Sequence, residues 1–177
     1  RPRGTRLRAR FVGTPTPPYM RGLDLTRVSR LGPDVAFWML VEATFDSPIN
    51  DRHLEHGADI VITSATKYHN GHSDVIGGAV AGSVSVIEEV TRLMCLWGQS
   101  IDPHAAWLIQ RGMRTLGVRM ERHTIHGMAV ARVAEARDGI LQVRHPGPPS
   151  PPDNDRAPPA PRRAPRTGEH RTRGRPR

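Results

Sequence analysis

The residue best suited to covalent chemistry in this sequence is Lys67, the only lysine among 26 lysines and arginines. The other basic side chains are arginines, and arginine cannot form an imine at neutral pH because its guanidinium stays protonated. Ser64 and Thr66 stand three and one residues before Lys67, in the sequence SATK. An amine beside two hydroxyls predicts a site that binds an aldehyde covalently and donates hydrogen bonds to an attached phosphate.

Pyridoxal phosphate is a cofactor that needs these groups. It requires a lysine amine, donors for its phosphate, and an acid near the pyridine nitrogen so that the ring can act as an electron sink. The SATK sequence follows directly after ADIVIT at residues 58–63, an apolar segment typical of a buried strand. Because ligands in open α/β sheets bind at strand ends, we predict that this strand places Lys67 in a loop at a sheet edge.

The elements around this loop predict an α/β fold. Apolar segments at residues 35–41 and 75–82 are typical of two further strands. Ser85 and Glu88 have the spacing of a capping box, which predicts that a helix begins there. An apolar stripe with helical spacing follows, and Gly98 is placed to end the helix.

A second helical region follows this first helix. Asp102 is suited to be its N-cap, and Pro103 fits the first turn, where no backbone donor is needed. The helical pattern continues to Gly139. We predict a break near Gly112 or Gly117, because glycine inside a helix is destabilising.

The segment TSATKYHNGHSDVIGG at residues 63–78 resembles the lysine signature of the Cys/Met metabolism enzymes. This is a pyridoxal-phosphate-dependent family that includes cystathionine synthases and lyases. The resemblance covers roughly Leu40 to Gly147, a partial chain. It implies a fragment of the fold-type-I transferase large domain, in which a mostly parallel sheet is flanked by helices.

The resemblance also implies roles for individual residues. Lys67 would be the catalytic residue and would bind the cofactor through its amine, while Ser64 and Thr66 would contact the cofactor phosphate. The family's acid beside the pyridine nitrogen is an aspartate in a segment like VDNTF. Here the segment reads VEATF, so Glu42 takes that place with the same charge and one more methylene.

By resemblance, the chain is an enzyme of transsulfuration. The implied reactions are β- or γ-elimination or γ-replacement on a small amino-acid substrate, as in cystathionine synthases and lyases. Full-length relatives are usually homotetramers, so we expect a homo-oligomer. We expect weak or no activity from this chain alone, because the family's stacking aromatic and its arginine for the substrate carboxylate are not recognisable here.

Composition divides the chain into three zones. Residues 1–34 are rich in Arg and Pro and are expected to be disordered or foreign to the fold, residues 35–147 form the partial large domain, and residues 148–177 are a Pro/Arg-rich tail expected to be disordered. The net charge of +9 and the tail sequence RGRPR, which resembles an AT-hook, leave nucleic-acid binding as the alternative function. We favour the enzyme, because the charge excess lies at the two ends.

Other sequence features bear on metals and location. His69, His72 and Asp74 could supply metal ligands, as could the nearby His53 and His56. We expect no metal, because no cysteine lies close and the histidines lack helical i, i+4 spacing. The single cysteine excludes an intrachain disulfide and fits a cytoplasmic protein. No apolar run approaches the ~20 residues of a membrane span, so no membrane partner is expected.

Overall fold

The computed structural model describes residues 8–16, 22–30, 37–145 and 169–172. Its main sheet has four neighbouring strands, in the order β1 (Arg8–Gly13), β2 (Phe37–Glu42), β3 (Ile60–Ser64) and β4 (Gly78–Gly82). Strand β2 pairs in parallel with β1 and with β3, whereas β4 runs antiparallel to β3. The prediction of an α/β fold with a mostly parallel sheet is confirmed. The carboxyl ends of β1, β2 and β3 lie at one edge, where the chain leaves β3 toward Lys67.

The core of this sheet is centred on β2. Met39 and Val41 are 1% and 0% exposed, which is the alternation expected of a strand that is packed on one face. The buried residues that pack with them are Leu25, Ala43 and Ala58. Leu25 belongs to the short helix α1 (Leu25–Arg30), so α1 covers this face of the sheet.

Three helices follow the sheet, namely α2 (Val84–Trp97), α3 (Pro103–Met113) and α4 (Leu116–Glu135). The N-cap of α2 is Ser83 rather than the predicted Ser85, and its side chain makes no capping hydrogen bond. Gly98 ends α2 in a left-handed conformation with φ 69°, as predicted. The Asp102 carboxylate accepts hydrogen bonds from the first amides of α3 at 2.9 and 3.1 Å, which confirms the predicted cap.

The second helical region is interrupted at Arg114 and Thr115, between the two glycines that sequence analysis offered as the break. After α4, the chain forms β5 (Ile140–Arg144). Ala131 and Ala134 of α4 pack on Val143 of β5 in a second, smaller core. The long helix is thereby anchored at its carboxyl-terminal end by alanines, which allow close approach of the strand.

Residues 1–34 were expected to be disordered or foreign to the fold, but this segment contains the strand β1 and the helix α1. Strand β1 takes its register from β2, pairing Arg10 with Met39 and Val12 with Val41. Val12 packs against the core, and the Arg10 guanidinium lies 4.0 Å from the centre of the Phe37 ring. Sequence analysis did not predict this strand. It lies at the edge of the sheet and exposes most of its side chains, so its sequence lacks the alternation of apolar and polar residues that is typical of a buried strand.

The tail also contains a strand, β6 (Glu169–Thr172), which pairs antiparallel with β5. The tail was expected to have no regular structure. The pairing is made by backbone groups, which the pattern of side chains in the sequence does not predict. The remainder of residues 148–177, including the AT-hook-like sequence, lies outside the described residues. Among the residues that are described, no helix has the length and apolar character needed to cross a membrane.

Candidate active site

The loop after β3 is a tight turn with Lys67 at its centre. The Lys67 amide donates to the Ser64 carbonyl at 3.1 Å, and the Lys67 carbonyl accepts from the Gly71 amide at 2.7 Å. Ala65 is fully buried and anchors the start of the turn, while the Lys67 side chain is exposed. The backbone at Lys67 is therefore fixed from both sides, and its amine is free to meet a ligand.

An open cavity of about 730 Å³ lies over this turn. This volume falls in the range of roughly 300–1,000 Å³ that is typical of small-molecule sites. Its walls come from the lysine turn, the loop that follows β2 and the helix α4, and its lining residues are Phe45, Thr66, Lys67, Tyr68, Gly71, Ser73, Asp74, Val75, Ile76, Arg119 and His123. The sole lysine of the chain thus lies in the wall of a cavity large enough for a cofactor and a small substrate.

Thr66 lies at the cavity but uses its hydroxyl to hold the turn in place. The hydroxyl donates to the Gly77 carbonyl at 3.2 Å and accepts from the Gly77 amide at 2.9 Å. The Thr66 amide also donates to the Gly77 carbonyl, at 3.1 Å. In this arrangement Thr66 joins the lysine turn to the start of β4, and its hydroxyl proton is already engaged.

Ser64 and Glu42 lie at the ends of β3 and β2, and both are half-buried. The Ser64 amide donates to the Thr44 hydroxyl at 2.8 Å, which connects the two strand ends. The Glu42 carboxylate accepts from the Thr44 amide at 3.1 Å. Neither Ser64 nor Glu42 lines the cavity, so of the four predicted site residues only Lys67 and Thr66 share its wall.

Arg119 of α4 is the residue that sequence analysis missed. Its guanidinium donates to the Tyr68 and His69 carbonyls at 2.7 and 3.2 Å, and to the Gly112 carbonyl at 2.8 Å. These bonds tie the lysine turn to the junction of α3 and α4. The sequence feature that could have indicated this role is Thr115, which lies one helical turn before Arg119. The Thr115 hydroxyl accepts a hydrogen bond from Arg119 Nε at 3.0 Å.

The histidines and the acid after Lys67 are tied locally rather than arranged around a metal. His72 Nδ1 lies 2.6 Å from the Asn70 backbone carbonyl, and the Asn70 side-chain amide donates to the Asp74 carboxylate at 2.7 Å. His69 is buried, and burial together with the positive charge of Arg119 lowers its pKa. Within the described ranges, the ligand atoms of His69, His72 and Asp74 do not converge.

Comparison with known proteins gives the family. The sequence profile of the Cys/Met metabolism PLP-dependent enzymes matches residues 4–162. The chain belongs to this family. The match extends beyond the segment from Leu40 to Gly147 in which the motifs are recognisable, and it includes the region of β1 and α1.

Members of the Cys/Met metabolism family with curated names are similar to this chain over most of its length. Cystathionine gamma-synthase 1 of Arabidopsis thaliana is 36% identical over 83% of this chain and 26% of that protein. Cystathionine gamma-synthase of Mycobacterium tuberculosis is 40% identical over 85% of this chain and 39% of that protein. The chain therefore spans only about a quarter to two fifths of these relatives.

Solved structures of the Cys/Met metabolism family agree with this fold. Cystathionine gamma synthase from Xanthomonas oryzae pv. oryzae, solved in complex with cystathionine, matches with a TM-score of 0.89 and 31% identity, over 95% of this chain and 44% of that one. Cystathionine gamma-lyase from Lactobacillus plantarum, solved with L-serine, matches with a TM-score of 0.88 and 29% identity, over 94% of this chain and 44% of that one.

The residues around the cavity fit the cofactor of the Cys/Met metabolism family. The decisive observation is the exposed Lys67 amine at a cavity of about 730 Å³. Tyr68 and His123 bring aromatic rings to the same cavity, with centres 5.8 Å apart. The fit is less complete at Glu42 and Thr66, whose polar atoms are engaged with the backbone.

Proposed function

We propose that this chain is the lysine-bearing part of a pyridoxal-phosphate-dependent enzyme that acts on sulfur amino acids. The reaction would be β- or γ-elimination or γ-replacement, as in cystathionine synthases or lyases. The single observation that supports this most strongly is the sole lysine of the chain, exposed on a fixed turn at a cavity of small-molecule size. The chain covers less than half of these relatives, so the activity proposed here is that of a full-length enzyme of the family.

When bound, the cofactor supplies an electron sink for the negative charge that develops at the substrate Cα. Lys67 would hold the cofactor through its Nζ, and the same amine would serve as the base that takes the proton from the substrate Cα. Thr66 keeps Lys67 oriented through its bonds to Gly77, and with Ser64 it is the proposed contact of the cofactor phosphate. Glu42 is proposed as the acid beside the pyridine nitrogen, and to reach it the carboxylate must leave the Thr44 amide.

The substrate class, assembly and location complete the proposal. The relatives named above suggest cystathionine and related amino acids as substrates. A homo-oligomer is supported by large apolar side chains that α2 and α4 expose, among them Trp97 at 70% and Val118 at 69%. A cytoplasmic location rests on the single, exposed Cys95, and the chloroplast name of the Arabidopsis relative shows that compartments differ within the family.

Borohydride trapping tests the covalent step. The 177-residue chain is incubated with pyridoxal phosphate, reduced and digested, and its peptides are weighed by mass spectrometry. We expect the label on Lys67 at low cofactor excess. Lys67→Arg is the matched control, because it keeps the positive charge but cannot form the imine.

Two results would refute the proposal. One is labelling of the α-amine at least as efficient as labelling of Lys67, since the proposal requires the cavity at Lys67 to favour the reaction there. The other is a label on the Lys67→Arg chain equal to that on the unchanged chain. A far slower reaction of Lys67 after prior denaturation would support the role of the folded turn.

A further inference from the structure

A second cluster of ionisable side chains lies in the loop between β2 and β3, apart from Lys67. Asp46 and His53 are 4% and 3% exposed, and Asp51 and His56 lie beside them at the surface. His53 and His56 belong to a short 3-10 turn, His53–His56, that precedes β3. None of the four lines the cavity of Lys67, although Phe45, the residue before Asp46, does.

The contacts within this cluster alternate between carboxylate and imidazole. His53 Nε2 lies 3.4 Å from Asp46 Oδ2, and His53 Nδ1 lies 3.3 Å from Asp51 Oδ2. His56 Nε2 lies 3.0 Å from the other oxygen of Asp51. One oxygen each from Asp46 and Asp51 and one ring nitrogen of His53 lie within 4.8 Å of one another.

The cluster leaves buried polar atoms unsatisfied. In the part of the chain that the structure describes, a few buried side-chain nitrogen and oxygen atoms lack a hydrogen-bond partner. Within the cluster, these atoms are Asp46 Oδ1 and the two ring nitrogens of His53, whose contacts with Asp46 and Asp51 at 3.4 and 3.3 Å lack hydrogen-bond geometry. Buried polar groups without partners are rare in native proteins, and an unseen ion or water is a common reason for them. A cation bound between Asp46 and His53 would satisfy these atoms.

We propose that Asp46, Asp51 and His53 form a site for a divalent transition-metal cation, of which zinc is the best fit. Zinc accepts one imidazole nitrogen and two carboxylate oxygens at about 2.0–2.2 Å, with water as a fourth ligand. Ligand atoms around a tetrahedral zinc are then about 3.3 Å apart. The 3.4 Å between Asp46 Oδ2 and His53 Nε2 matches that spacing, whereas Asp51 Oδ2 contacts the other ring nitrogen, Nδ1, and has to turn toward Nε2 to join the ligand set.

Chemistry and surroundings favour this cation over others. Magnesium and calcium prefer ligand sets made only of oxygen, whereas an imidazole nitrogen with carboxylates suits zinc and its neighbours. His56 is placed to orient Asp51 from outside the ligand set, as outer partners do in zinc sites. A cation would also relieve the burial of Asp46, which raises the pKa of that carboxyl to about 7, against the lowering effect of His53.

The competing explanation is that the cluster binds no cation. The contacts of His53 with the two carboxylates at 3.3 and 3.4 Å would then be the whole interaction. The two explanations differ in one measurable respect. A metal site gains stability when zinc is added, and a cluster that binds no cation does not.

The experiment is zinc binding by the 177-residue chain without pyridoxal phosphate. The chain is stripped with a chelator, dialysed against zinc at micromolar concentration, and analysed for bound metal and for thermal unfolding. We expect about one zinc per chain and a raised unfolding midpoint. Asp46→Asn, which preserves shape, should weaken zinc binding at least tenfold, and His53→Gln should do the same.

Three control variants make the result specific. Glu55→Gln changes an exposed acid in the same turn as His53. His72→Gln changes one of the three residues, His69, His72 and Asp74, that the sequence offered as metal ligands. Both variants should bind zinc normally. Lys67→Arg should also bind zinc normally, which separates this site from the proposed function. If circular dichroism shows that His53→Gln does not fold, zinc binding by Asp46→Asn is the deciding measurement. An unchanged chain that retains no zinc, or zinc held equally by Asp46→Asn, would overturn the proposal.

Discussion

At the scale of single residues, the site depends on side chains that hold the backbone as much as on the lysine itself. Lys67 has a free side chain on a backbone whose amide and carbonyl are both bonded. Thr66 and Arg119 provide the outer connections of this turn, one to β4 and the other to the start of α4. His69 occupies the buried side of the same turn, which makes the turn sensitive to pH.

We predict that His69 destabilises the folded chain in acid. Burial and the nearby Arg119 lower its pKa in the folded state, so below the ordinary value of about 6.5 the unfolded chain binds more protons. Above about pH 6.5, His69 is neutral in both states and does not reduce the free energy of unfolding. As the pH falls from there toward the lowered pKa of the folded state, the free energy of unfolding decreases. Urea unfolding at pH 7.5 and 5.5 measures this loss, which should be smaller in His69→Leu.

The matched control is His126→Leu, because His126 is exposed on α4. It should lose as much stability between the two pH values as the unchanged chain. An equal loss in His69→Leu and the unchanged chain would show that His69 does not contribute. Other groups titrate in this range, and the comparison between variants isolates His69 from them.

At the scale of elements, the lysine turn is positioned by the close approach of α3. A Cβ on Gly112 would meet the Asn70 backbone, with Asn70 Cα only 2.8 Å away. Arg119 then bonds the Gly112 carbonyl and the two carbonyls after Lys67, so the helix junction and the turn form one unit. The close contact explains why a glycine lies at this helix position, where its intrinsic propensity is unfavourable.

Two glycine substitutions should therefore have opposite effects. Gly112→Ala should lower the free energy of unfolding by about 1–3 kcal/mol, because the added methyl forces α3 away from the lysine turn. Gly117→Ala should raise it by up to about 1 kcal/mol, because Gly117 lies in α4 with no atom within 4 Å of its Cβ position. Chemical denaturation measures both. A neutral or stabilising Gly112→Ala would contradict the proposed close contact.

The sequence predicted those elements whose signals are local. The strand before Lys67, the Asp102 cap and the end of α2 at Gly98 depend on neighbouring residues, and all three are confirmed. Strand β1 and the bonds of Arg119 depend on residues distant in the chain, and they were missed. The Asp46–His53 contact is of the same kind, since burial rather than spacing turns these residues into a cluster.

At the scale of the whole molecule, the described residues of α2 and α4 leave several large apolar side chains exposed. Leu96 and Trp97 are 66% and 70% exposed near the end of α2, and Val118 and Val133 of α4 are 69% and 64% exposed. Large apolar side chains that cluster at a surface mark an interface or a site of aggregation. The chain also spans less than half of its relatives, whose additional parts would have surfaces to contribute.

We predict that the isolated chain self-associates at micromolar concentration. Sedimentation velocity should show species larger than the 19.6 kDa monomer. Leu96→Glu together with Val133→Glu should shift the chain toward the monomer, because charges on both patches oppose apolar contact. Gln99→Glu, which adds a charge without removing apolar surface, should have little effect. A monomeric unchanged chain would contradict the prediction.

The fixed backbone around Lys67 has a consequence for ligand binding. The conformational entropy of the turn is lost when the chain folds, through the bonds of Thr66 to Gly77 and of Arg119 to the two carbonyls after Lys67. A ligand that reaches the amine then has to order one flexible side chain rather than a loop. Substitutions that loosen the turn should therefore reduce the affinity for chemically different ligands by a similar factor, because each ligand would have to order the same turn when it binds.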